Sequence, residues 1–248
     1  MFPIPKPERL PTRISPCPII DAVLEIRFVT AEDWSVLPGL LYNNVRKKFP
    51  TKVLLPLSKL DEEFRNRNPQ LRYQPLLEFR SELFRIRLGP RVISLSTLTT
   101  DYPGWSKIKE EMQWLLENLN ACGLIGESER LGFRCVDFFE VDIFEHLILD
   151  ICVNKTPLDG PEMSLTKVLH SGPLTSRLLL NNGAEVVSGQ TVRRGSVLDL
   201  DVWLGPDDFE LFTDGLERFD QAHQFNKEVF FGLLKNDFLT TLSPEYSD

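Results

Sequence analysis

Arginines at alternate strand positions are the first residues in this sequence whose spacing could do chemistry. Over Ala22–Val29, Leu24, Ile26 and Phe28 alternate with Glu25 and Arg27, the period-two pattern of a half-buried strand. The same alternation sets Leu77 and Phe79 opposite Glu78 and Arg80, and Phe84, Ile86 and Leu88 opposite Arg85 and Arg87. With Arg134 from a later strand, Arg27, Arg80, Arg85 and Arg87 would make a sheet face of guanidinium groups. Such a face can grip phosphate oxygens bidentately, as nucleotide or nucleic-acid binding requires. Glu25 and Glu78 fall on the same face, so the competing reading is a lattice of cross-strand ion pairs. No aromatic residues interleave these arginines, as a single-strand nucleic-acid surface would demand.

Carboxylates form the second candidate set. Asp199 and Asp201 share one face of a strand, with Asp150 and Glu185 on neighbouring strands. If they converged they could hold Mg²⁺ or Mn²⁺ and serve a metal-dependent hydrolase. A solvated acidic face is the simpler reading, because it assumes no strand order. The histidines are His146, His170 and His223, and none has the i, i+4 spacing of a zinc pair. His223 sits on the edge of a helical apolar stripe, which suits an interface histidine better than a general base. The phosphate-loop, dinucleotide-loop, nucleophile-elbow and paired-histidine zinc motifs do not occur. No catalytic residue or cofactor is therefore expected.

These residues need elements to carry them. Arg130–Glu140, reading RLGFRCVDFFE, is apolar on both faces and suits an interior strand. Before it the pattern gives a strand at 22–29, a helix at about 37–49 and strands at 76–81, 83–88 and 91–98. The clearest helix, Trp105–Cys122, follows, with Ile108, Met112, Leu115 and Leu119 at helical spacing and Gly123 placed to end it. Residues 56–75 are polar and broken by Pro56, Pro69 and Pro75, with a short helical turn near 60–65. A loop so long usually does something, so it is the candidate mobile or partner-contacting segment. The later chain reads as strands near 147–153, 165–169, 175–180, 184–188 and 196–204, with Asn181-Asn182-Gly183 as a hairpin turn. A terminal helix runs from about Asp208 to Leu239. On that helix Phe225 and Phe231 lie off the main apolar stripe, and a second apolar face needs a second surface to bury it.

The 248 residues and net charge of −8 suit a globular protein and argue against one that coats DNA or anionic membrane. Through residue 140 there are 20 Lys/Arg against 18 Asp/Glu, and from 141 onward 8 against 18. A near-neutral half joined to an acidic half can self-associate or offer its faces to different partners. Cys17, Cys122, Cys135 and Cys152 lack paired spacing, which reads as reduced thiols in a cytoplasmic protein. No apolar run is long enough to cross a membrane. Residues 1–18 hold six prolines, which make an extended arm laid over the protein rather than a helix.

Three stretches resemble a sporadically distributed prokaryotic family of uncharacterised proteins of about this length. They are Cys17–Phe28 (CPIIDAVLEIRF), Arg130–Asp137 (RLGFRCVD) and His223–Phe231. They are similar to that family's P-x-x-[DE]-A-x-x-E-I-R-F opening, its R-x-G-[LF]-R-Y-x-N strand and its C-terminal H-x6-F helix. Cys135 and Asp137 stand where the family pattern has Tyr and Asn. The resemblance carries no activity. Its patchy distribution implies an accessory setting such as a defence system.

The expected fold is α+β, in two abutting halves at 19–140 and 141–248, each an antiparallel or mixed sheet with helices on one face. The expected function is a non-catalytic, cytoplasmic interaction or scaffold protein, homo-oligomeric or bound to a partner protein. Nucleic-acid or nucleotide binding through the arginine face is the alternative, and a metal-dependent hydrolase is the second.

Overall fold

A computed structural model describes residues 4–99, 101–157, 162–188 and 191–247. In chain order the strands and α-helices are β1 (Ile19–Thr30), α1 (Leu37–Val45), β2 (Thr51–Leu54), α2 (Glu62–Arg67), β3 (Leu77–Arg80), β4 (Phe84–Gly89), β5 (Val92–Thr97) and α3 (Trp105–Cys122). Then come β6 (Ile125–Phe139), β7 (Cys152–Val153), β8 (Thr156–Pro157), β9 (Ser164–Ser171), β10 (Leu174–Ser188), β11 (Thr191–Leu204), α4 (Gly215–Leu233) and α5 (Asn236–Thr241). Among the described residues, nine strands hydrogen-bond into one antiparallel sheet, ordered β2-β3-β4-β5-β1-β6-β11-β10-β9. The fold is α+β, as expected. Strands from before and after residue 140 share one hydrogen-bonded order, where a sheet for each half was expected. β6 is an interior strand, as its two apolar faces require.

The chain divides into two compact units built from interleaved segments: Asp21–Phe133 with Trp203–Ala222, and Met1–Ile20 with Arg134–Val202 and His223–Asp248. The first carries the arginine face. Its strand alternation resolves into a buried face of Leu24, Ile26, Phe28, Phe79, Ile86, Leu88, Ile93 and Leu95 and a polar face opposite. Tyr42 of α1 stacks on Phe79, and Trp105 of α3 meets Phe133 edge to face. The helices thus cover the apolar side, where they complete the core. α3 spans the expected residues, and Gly123 ends it in the left-handed conformation at φ 66°. α1 stops earlier than expected. The basic residues after it do not all face solvent, because Lys48 pairs with the buried Glu111 at 2.7 Å and lies over the Trp114 ring.

In the second unit the proline arm is a strap on its own protein. Thr12 N–H donates to the Glu245 carbonyl, Ser15 N–H donates to that of Leu242, and Lys6 pairs with Glu228 of α4. At Gly232 of α4 a Cβ would overlap the Pro5 carbonyl and Ile4, so the strap reaches the helix backbone only because that position is glycine. Three expectations fail in this unit. Asn181-Asn182-Gly183 is no hairpin turn. β10 runs through it, with Gly183 at φ 73° and the Asn182 carboxamide oxygen accepting from Ser196 Oγ at 2.7 Å. A single left-handed residue is absorbed as a local kink of a long strand. The terminal helix is interrupted, because Leu234 bridges to Leu147 and Lys235 N–H donates to the His146 carbonyl. That same pairing replaces the strand expected from 147, of which β7 alone remains.

Candidate functional site

Register lines up the arginine face in rows. Glu78, Arg87, Ser94 and Glu25 stand opposite one another across β3, β4, β5 and β1, and Arg80, Arg85, Ser96 and Val23 form the next row. Glu78, only 1% exposed, accepts from Arg80 and, at 2.7 Å, from Arg87. Burial would raise the Glu78 carboxyl, but the hydrogen bonds and charges of Arg87 and Arg80 outweigh it and hold it below the usual carboxylate range. Glu25 plays the same part for Arg27 at 2.7 Å and Arg130 at 2.6 Å. Arg85 donates to Ser96 Oγ at 2.7 Å and reaches Asp21 at 3.4 Å. Four of the arginines expected on this face, Arg27, Arg80, Arg85 and Arg87, are thus met by three carboxylates, Glu25, Glu78 and Asp21, one fewer than the guanidiniums.

Beside this face the 56–75 excursion folds into fixed turns. Asp61 caps α2 by accepting from the Glu63 and Phe64 N–H groups, and Asn68 accepts from Gln70 N–H. Between the excursion and the β4–β5 turn lies a cleft of about 340 Å³. Arg65, Arg72 and Arg91 line it, with Glu62, Leu71 and Pro90 among the other walls. Arg91 is held by Glu129 in a bidentate pair. Arg65 and Arg72 have no carboxylate partner among the described residues, and the buried Nε of Arg65 has no acceptor. The Arg72 and Arg27 guanidiniums both lie over the Tyr73 ring, at 5.6 and 4.5 Å.

In the other unit the acids and bases pair off. Arg134 grips Asp199 bidentately at 2.7 and 2.6 Å. Arg177 reaches Asp201 at 3.9 Å, and Arg194 pairs with Glu185 at 2.8 Å. Asp150 lies exposed in the loop before β7. β11 runs between β6 and β10, so the segment bearing Asp150 never becomes its neighbour. The convergence of Asp150, Asp199 and Asp201 on a metal does not form, and no other group of His, Cys, Asp or Glu among the described residues could hold one. Asp137 on β6 is 3% exposed. Burial, reinforced by the charge of Asp199, pushes its carboxyl up to about 8.

Phe225 does not present the outward face expected of it, and Phe231 is half-buried. Phe225 is 4% exposed, and Phe231 packs edge to face on Phe230. The strap reaches the same helix at Glu228 and Gly232. His146 stacks on Phe238, and His170 Nδ1 lies 3.2 Å from Thr175 Oγ1. Sequence reasoning singled out the 56–75 excursion but missed Arg65, Arg72 and Arg91. Their signal was available, since no acid in the excursion is spaced to neutralise Arg72 as Glu63 neutralises Arg67 on α2. No helix among the described residues is long and apolar enough to cross a membrane. No protein-family model matches the chain, and a search of curated proteins finds no match.

Proposed function

We propose that this chain is a non-catalytic interaction protein of a cytoplasmic accessory system, and that it self-associates through the outer edge of β9. The carrying observation is that edge itself. β9 and β2 are the end strands of the sheet. β2 has four residues, whereas β9 has eight with one charge, Lys167. Edge strands of this length are normally shortened, charged or covered.

The hairpin fixes which groups face outward. Gly172-Pro173 joins β9 to β10 with Ser171 opposite Leu174, so that closing pair is hydrogen-bonded and the pairs alternate from there. The Asn182 N–H bond to the Met163 carbonyl keeps the same parity. Ser164, Thr166, Val168 and His170 therefore turn their N–H and C=O groups away from β10. A second copy is the occupant that fits an eight-residue edge, by antiparallel addition about a two-fold axis. A register with Val168 opposite its own copy sets Lys167 beside Leu169 and avoids a lysine pair. Sedimentation equilibrium is expected to give twice the 28.5 kDa chain mass, and Val168→Lys is expected to return it to one. A wild-type chain that stays monomeric, or a dimer indifferent to Val168→Lys, sinks this reading.

The excess positive charge on the arginine face favours a second reading, nucleic-acid binding. It requires binding that weakens steeply with salt and is lost in Arg85→Glu with Arg87→Glu. A double variant that still binds discards it.

A further inference from the structure

We infer that the cleft between the 56–75 excursion and the β4–β5 turn is a binding site for a small organic phosphomonoester. This goes beyond self-association and does not depend on it. Three observations converge on the cleft. Its volume of about 340 Å³ lies in the range of small-molecule pockets. Its lining combines the apolar residues Leu71, Leu76 and Pro90 with Arg65, Arg72 and Arg91. Of these, Arg91 has a carboxylate partner, Glu129, and Arg65 and Arg72 have none among the described residues.

Where surplus guanidiniums line a recess, an anion is the group that satisfies them, and the planar fork of arginine matches phosphate oxygens. Glu62 on the rim offsets one positive charge and sets a limit on the ligand. Arg65 and Arg72 still leave the recess net positive, so an anion is attracted more strongly the greater its charge, and a neutral molecule is not. The apolar wall calls for an organic body on that phosphate. The recess is pre-formed, because the Asp61 and Asn68 caps fix the turns that carry Arg65 and Arg72.

Calorimetric titration of the full chain with adenosine monophosphate, inorganic phosphate and adenosine tests this assignment. The monophosphate is expected to bind, inorganic phosphate to bind more weakly, and adenosine not to bind measurably. Arg65→Met and Arg72→Met are each expected to lower monophosphate affinity about tenfold or more, the equivalent of losing one charge-assisted contact. Arg194→Met, on a guanidinium already paired with Glu185, is expected to leave it unchanged. Equal affinity for inorganic phosphate and the monophosphate would overturn the organic part. Absence of binding by both, or affinity that survives Arg65→Met and Arg72→Met, would overturn the site. Arg72→Lys keeps the charge and exposed position. It serves if Arg72→Met fails to fold, and a loss of affinity there too supports the bidentate contact, whereas retention of full affinity counts against it.

Discussion

Asp137→Asn is expected to make the protein more stable at pH 8, on the order of 4 kcal/mol, and to leave its stability near pH 4 almost unchanged. The carboxyl titrates at about 8 in the fold, against about 4 in an unfolded chain. Below about 4 both states hold the proton and the group favours neither. Between the two values the unfolded chain has released its proton and the folded chain has kept it, so stability falls as pH rises. Above about 8 both are ionised, and the folded state carries the full cost of an enclosed carboxylate beside Asp199. Asparagine matches the shape of the protonated acid and carries no charge at any of these pH values. Denaturant unfolding at several pH values gives the comparison. Parallel pH profiles for the two proteins would show that Asp137 does not carry this linkage.

Arg134→Met is expected to destabilise the protein by about 2–3 kcal/mol, because it strips the bidentate partner from a buried carboxylate. Asp199 has a side chain 9% exposed, whereas that of Arg134 is 43% exposed, so the acid cannot recover the lost contacts from solvent. The pair is worth less than its loss suggests. Arg134→Met combined with Asp199→Leu removes both charges and is expected to regain much of the difference. The double variant also relieves Asp137 of a neighbouring negative charge, which adds to the recovery above pH 6. A single variant within about 0.5 kcal/mol of wild type, as surface changes usually are, would show the pair to be solvated.

The sequence made most of the local structure legible where periodicity and a stop signal agreed. Trp105–Cys122 kept both ends because its apolar spacing and Gly123 point the same way. The alternation in β3 and β4 located Glu78, Arg80, Arg85 and Arg87 on one face, and hence the ion-pair lattice open to them. What failed depended on partners distant in the chain. Asn182-Gly183 carries the chemistry of a turn, yet Ser196 and Met163 hold it within a strand. Phe225 looked like an unburied second face because the spacing along one helix does not show what packs against it, and it is buried. The division of Asp199, Asp201 and Glu185 among Arg134, Arg177 and Arg194 follows from strand order, which alternation alone cannot supply. The cleft was half legible: its loop was marked by length and prolines, but not the arginines it gathers.

The strap sets an order of events during synthesis. Residues 4–15 are made well before their partners Glu228, Leu242 and Glu245. Until those appear, the arm's N–H groups are left to water, and six prolines within residues 1–18 keep it from forming a competing helix. The unit it belongs to cannot close before residues 228–245 have left the ribosome. A nascent chain halted near residue 220 is therefore expected to expose this arm to protease, and one in which residues 228–245 have emerged to protect it.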